Sequence, residues 1–134
     1  MSSDQQIEQE IQAKGKTALR VTPEMIERNI LSEHYFTAAD GRAGAIAAET
    51  YVGREKPEAR DEDLKPLSLL TFCVLVLRNG FTVTGESACA SPENFDAEIG
   101  QKIARQNAVQ KIWPLMGYEL RSKIMYTPEL AGGQ

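Results

Sequence analysis

The residues of this chain that could carry chemistry are few, and their spacing says which chemistry they lack. Gly85-Glu86-Ser87-Ala88-Cys89 has the outline of a nucleophile elbow, but Cys89 stands where that motif needs a glycine to turn the strand sharply into its helix. The single histidine, His34, lies some fifty residues upstream, and no third residue is spaced to orient it. Cys89 therefore reads as a small thiol at a hairpin edge. Glu86, Glu93, Asp96 and Glu98 crowd one hairpin exit and helix start. Helix capping and favourable dipole placement account for Glu93, Asp96 and Glu98 without acid–base work, whereas Glu86 projects from a strand with apolar neighbours. No catalytic residue is expected, and the chain reads as a binding protein rather than an enzyme.

Binding chemistry is better supplied. The glycines are scattered among turns instead of opening a helix after a strand, so no phosphate-cradling loop is present. An aromatic platform beside guanidinium groups could still hold a nucleotide. Phe81 at a hairpin tip, with Asn94 and Arg105 at the start of a long helix, supplies those types. Cys73 and Cys89 form neither a disulfide framework nor a metal-ligand pattern, so no metal or cofactor is expected. A net charge of −4 weighs against binding duplex nucleic acid. A small anionic ligand needs only a local cluster, and Arg78, Lys102, Arg105, Arg121 and Lys123 all fall in the second half.

The elements that must position these residues follow from periodicity and punctuation. With 134 residues, 42% hydrophobic and 25% charged, one domain with a real core is expected. Residues 1–20 read as a polar arm with only Ile7 and Ile11 apolar at helical spacing, and 127–134 as a flexible tail around a domain spanning 21–126. Thr22-Pro23-Glu24 marks a helix start, with Met25, Ile26, Ile30 and Leu31 on one side of it. Tyr35 to Thr37 suits a short strand ended by Asp40-Gly41, and the charge-dense residues 41–66 read as an insertion.

Leu69 to Leu77 is a nearly unbroken apolar run, and Arg78-Asn79-Gly80-Phe81 predicts a hairpin with a type I′ turn. Counting outward from a two-residue turn sets Val76 opposite Val83 and puts Phe72, Val74, Phe81 and Val83 on one face. Ser91-Pro92-Glu93 and Asp96 mark two successive helix starts. Phe95, Ile99, Ile103, Ala104, Ala108 and Ile112 form the stripe expected to lie on the hairpin. Trp113-Pro114 predicts the helix end, and Tyr118 to Ile124 a closing strand. The expected fold class is therefore α+β: a small antiparallel sheet around the Asn-Gly hairpin, one long C-terminal helix, a closing strand and an additional N-terminal helix. A thin sheet with one helix leaves a face short of cover, so a homo-oligomer is expected. No apolar run reaches the length of a membrane span.

The string Thr71 to Cys89, with Pro92 to Gly100 and Lys111 to Tyr118, resembles the gp-forty-nine/gp-sixty-six-like family of small tailed-phage proteins. The match runs from about Thr22 to Arg121 and is interrupted by residues 41–66. It implies a phage protein without assigning it chemistry. Asn79-Gly80-Phe81 and Pro92-Glu93-Asn94-Phe95-Asp96, with a helix set between strands, are also similar to the first anti-Thoeris family, phage proteins that act as sponges for cyclic ADP-ribose signals. That second resemblance implies a non-catalytic oligomer in the host cytoplasm. It would sequester a small nucleotide-derived immune signal, of cyclic ADP-ribose type or a cyclic oligonucleotide. Phe81 would stack on a base, Asn94 would hydrogen-bond the ligand, and Arg28 or Arg105 would face phosphate. The alternative is a protein-interaction module whose acidic surface and 41–66 insertion engage a host or phage protein.

Overall fold

The computed structural model of the chain describes residues 3–16, 18–50, 61–127 and 129–130. In chain order the elements are α1 (Ser3–Ala13), α2 (Pro23–Arg28), β1 (Ile30–Thr37), α3 (Ala38–Ala47), α4 (Asp61–Leu67), β2 (Leu70–Leu77), β3 (Thr82–Ala88) and α5 (Ala97–Tyr126). A 3-10 turn at Pro92–Asn94 precedes α5. The fold is mixed α+β: a three-stranded antiparallel sheet in the order β1-β2-β3, with the long α5 across one face and α1 and α2 beside it.

Helix starts follow local chemistry closely. Thr22 caps α2 by accepting the Met25 N–H, with Pro23 in the first helical turn. Asp96 caps α5 by accepting the Ile99 N–H at 3.1 Å. Thr37 and Asp40 make a reciprocal capping box that opens α3, so Asp40-Gly41 lies inside a helix rather than closing a strand. Residues 51–60 of the expected insertion lie outside the described residues.

The hairpin forms, but through a different turn. Only Gly80 of the Asn-Gly pair has positive φ, at 89°. Its N–H donates to the Leu77 carbonyl at 2.9 Å, and the Leu77 N–H donates to the Phe81 carbonyl at 2.8 Å. This is a three-residue loop built on a type I turn with glycine in the left-handed position, reinforced by the Phe81 N–H donating to Asn79 Oδ1 at 2.9 Å. One extra loop residue shifts the register by one, so Leu75 faces Val83 and Val76 faces Thr82. In a sheet that slip exchanges the faces of β2. Thr71, Cys73, Leu75 and Leu77 point at the helix together with Val83 and Gly85, while Phe72, Val74 and Val76 take the outer face.

The helix stripe is displaced in the same sense. Gly100, Ala104, Ala108, Val109 and Ile112 are the buried residues of α5, whereas Ile99 and Ile103 are exposed and Phe95 is half-buried. Close approach is the reason. A Cβ at Gly85 would fall inside contact distance of the Ala104 carbonyl oxygen and the Ala108 nitrogen, and one at Gly100 would sit 3.1 Å from Thr71 Oγ1. Small residues let backbone meet backbone here, and branched side chains at Ile99 and Ile103 are turned aside. The core built on this contact consists of Ile26, Cys73, Leu75, Leu77, Val83, Ala104, Ala108, Val109 and Ile112.

Three further expectations are corrected. The helix does not stop at Trp113-Pro114; α5 runs 30 residues with Pro114 inside it. Residues 118–124 are helical as well, and the third strand of the sheet is β1, which pairs with β2 from Ile30 to Thr37. Ile30 and Leu31, expected on the α2 face, belong to that strand, because Asn29 caps α2 and Arg78 N–H draws the Asn29 carbonyl into the sheet at 3.0 Å. The outer sheet face carries Phe36 and Phe72, with ring centroids 5.7 Å apart, beside half-buried Val74 and Val76.

Candidate functional site

Two places on this scaffold gather side chains that could recognise a ligand. The first is the turn end of the sheet. Arg78 is anchored there by the C-terminus of α2: its Nε–H donates to the Arg28 carbonyl at 2.6 Å, and its backbone N–H donates to the Asn29 carbonyl. A guanidinium at a helix C-terminus opposes the partial negative charge of the last carbonyls, which explains the pairing. The terminal nitrogens of Arg78 hydrogen-bond to none of the described residues. Among the described residues the Arg28 guanidinium pairs only with the exposed Glu24 one turn away, at 3.8 Å. Phe81, 57% exposed, follows the turn. An aromatic face and two arginines thus share one end of the molecule, a combination suited to stacking on a base and pairing with phosphate.

Arg105 and Asn94 are not part of this end. Arg105 reaches from α5 to α2 and β1, donating to Glu27 at 2.7 and 3.1 Å and to Glu33 at 3.0 and 3.1 Å. The hydrogen bonds from Arg105, followed by that from the Tyr35 hydroxyl, hold the Glu33 carboxyl below the usual carboxylate range. Pairing with Glu27 and then Glu33 pushes the Arg105 guanidinium further up. Tyr35 is raised by burial first and by its hydrogen bond to Glu33 second. Arg105 is therefore the clasp between helix layer and sheet edge, with both sides of its fork taken by carboxylates. Asn94 sits in the 3-10 turn beyond the far end of β3, so the length of that strand, about 23 Å from Phe81 to Ala88, separates it from the turn. Within one chain the structure brings Phe81 and Arg28 to the same end and leaves Asn94 and Arg105 elsewhere. Arg78 is the residue there that the sequence argument named only as part of a diffuse basic half. Its position one residue before Asn79-Gly80 was the available signal.

The second place is a groove of about 690 Å³ between α1, α2 and α5. Asp4, Glu8, Glu24 and Glu27 line it with Arg20 and Trp113. Most of these charges are already partnered. Asp4 accepts from Trp113 Nε1 and Gln110 Nε2, both at 3.1 Å, and Glu8 pairs with Arg20 through two hydrogen bonds. Those bonds with Arg20 and Gln12 hold Glu8 below the ordinary glutamate range. The groove is thus a polar seam that fastens α1 to the domain.

Among the described residues no cluster of His, Cys, Asp and Glu could hold a metal ion, and Cys73 and Cys89 are both free thiols. Burial pushes the Cys73 thiol up, away from the reactive thiolate. No described helix is long and apolar enough to cross a membrane.

A small α+β protein with a hairpin-end aromatic and two neighbouring arginines is the class that fold and geometry define. The chain belongs to the Phage protein (N4 Gp49/phage Sf6 gene 66) family, whose model matches residues 21–124. No curated protein and no solved structure matches it.

Proposed function

We propose that this phage protein works by binding and sequestering a small nucleotide-derived host immune signal, of the cyclic ADP-ribose or cyclic oligonucleotide kind, in the host cytoplasm and without turning it over. The observation that carries the reading is the turn end of the sheet. There Phe81 is open to solvent, Arg78 on the same turn reaches the α2 C-terminus through its Nε alone, and Arg28 in that last turn of α2 makes one loose pair with exposed Glu24. A stacked base gains from the aromatic face, and an adjoining phosphate gains from a bidentate guanidinium, so together they select a nucleotide over a simple anion. In this reading Arg105 holds the architecture and does not face phosphate. Calorimetry with cyclic ADP-ribose isomers and cyclic oligonucleotides tests it. Binding that is lost in Phe81→Ala and weakened at least tenfold in Arg78→Ala supports the reading. No heat with any of these ligands, together with no small molecule released from the heat-denatured protein in mass spectrometry, ends it.

The groove favours a second reading, an interaction module that grips a basic segment of a host or phage protein along Glu24 and its neighbours. A stoichiometric partner from infected cells that is lost in Glu24→Lys and kept in Phe81→Ala selects this reading over the first.

A further inference from the structure

Helix α1 is seated on the domain without being part of its core. Its half-buried residues, Asp4, Glu8 and Ile11, are four and three positions apart and define the one face that meets the rest of the chain. Two carboxylates fasten that face: Asp4 accepts from Trp113 Nε1 and Gln110 Nε2, and Glu8 accepts from both terminal nitrogens of Arg20. The apolar contact is incomplete. A cavity of about 190 Å³ is left where Ile7 and Ile11 approach Val21, Pro23 and Trp113, and Ile7 stays 55% exposed. No residue of α1 is buried, so little hydrophobic free energy holds it down.

The two sides of this contact are unequal. Val21 and Trp113 pack on the core and, with Pro23 and Gln110, lie within the stretch that matches the phage family, whereas α1 lies ahead of it. Helix α1 is joined to them through Gly15, which has a left-handed φ of 68°, and a helix of 11 residues is marginal in water without packing. The seat is fixed and its occupant is exchangeable. What the seat accepts follows from its donors. The Trp113 indole N–H, the Gln110 amide and the Arg20 guanidinium all donate toward α1, and an indole N–H can only donate. A helix that fits carries carboxylates one turn apart, each followed three positions later by a branched apolar residue, as Asp4, Ile7, Glu8 and Ile11 do. A basic helix would set its charge against Arg20 and leave the Trp113 N–H unpaired.

We propose that α1 is a displaceable strap occupying, within the chain, a docking groove for an acidic amphipathic helix of another protein, which takes the groove by reproducing the α1 pattern. A short tether holds α1 at an effective concentration of about a millimolar, and that sets what a partner must outcompete. The seat is separate from the turn-end residues of the ligand reading. Glu24, on which the basic-segment reading rests, lines the open groove but not this cavity. The test uses the full chain with Asp4→Lys and Glu8→Lys, which evicts α1, and a fluorescein-labelled peptide spanning residues 3–16 of the natural sequence. Trp113, the single tryptophan, is expected to emit at longer wavelength in the double variant and to return toward the wild-type position when the peptide binds. Fluorescence anisotropy is expected to show the peptide binding the double variant at least tenfold more tightly than the wild type, and a peptide carrying the same two lysines not binding either chain. Should the double variant fail to fold, hydrogen exchange of the wild type decides: α1 amides are expected to exchange at least a hundredfold faster than those from Ala104 to Ile112. Peptide binding that is absent from the double variant, equal in both chains, or matched by the lysine peptide overturns the proposal. So does equal protection of the two helices.

Discussion

The two halves of α5 are one helix by backbone and two different objects by environment. From Gly100 to Ile112 its inner face is small and buried, pressed so closely on β3 that Gly85 has no room for a side chain. From Gly117 to Tyr126 the residues are larger and half or fully exposed, although their spacing is as helical as before. Helix formation and helix burial are therefore separate properties. The first is set by spacing, caps and propensity; the second by where another layer of structure ends.

The largest effect that would break this contrast is at the tightest contact. Gly85→Val is expected to cost about 3 kcal/mol or more, because the Ala104 and Ala108 backbone must retreat with the whole helix. Chemical denaturation measures it, and a loss below 1 kcal/mol would mean the two layers are not in backbone contact. Next, Ile112→Ala should lose about 3 kcal/mol, while Ile124→Ala should lose less than about 0.5 kcal/mol from the isolated chain, since only the former leaves a cavity in the core. Equal losses at the two positions would erase the distinction between the halves.

A smaller effect concerns the clasp that seats the inner half. Arg105→Met should cost about 1–2 kcal/mol at neutral pH, because the guanidinium and both carboxylates keep partial access to water. Glu33 has a lowered pKa in the folded state, so the unfolded chain binds more protons in acid. Its contribution is present above the ordinary glutamate value of about 4.3 and is lost as pH falls through the lower folded value. Denaturation midpoints measured from neutral pH into acid should fall more steeply below that point in the wild type than in Arg105→Met. The smallest effect is at the start of the helix. Asp96→Ala should cost about 1 kcal/mol by leaving the Ile99 N–H uncapped, a change visible as a lower melting temperature.

The hairpin shows how far the sequence could be read and where it stopped. Asn79-Gly80 announces a turn, and the family resemblance carried by Thr71 to Tyr118 leads to the phage family that matches residues 21–124. The register was not legible, because β2 is apolar on both faces and either set could have met the helix. The stripe on α5 was misjudged for a related reason. Hydrophobicity favoured Ile99 and Ile103 over Gly100, but the close approach of Gly85 rewards the absence of a side chain. Of the proposed ligand residues, Phe81 and Arg28 end up at one end of the sheet. Arg105 was assigned to phosphate because its carboxylate partners, Glu27 and Glu33, lie more than seventy residues away in sequence.

Sequence by itself determined the local events: Thr22 and Asp96 as caps, a glycine turn after Leu77, a long C-terminal helix, and an α+β chain of one phage family. Each depends on interactions within a few residues, or on composition. Tertiary structure alone decided which face of β2 is inside, that Pro114 is carried within a continuing helix, that β1 rather than a closing strand completes the sheet, and that Arg105 is a clasp. These outcomes depend on which distant surfaces meet and how closely, and the balance there is struck by excluded volume and desolvation across layers that no local pattern records.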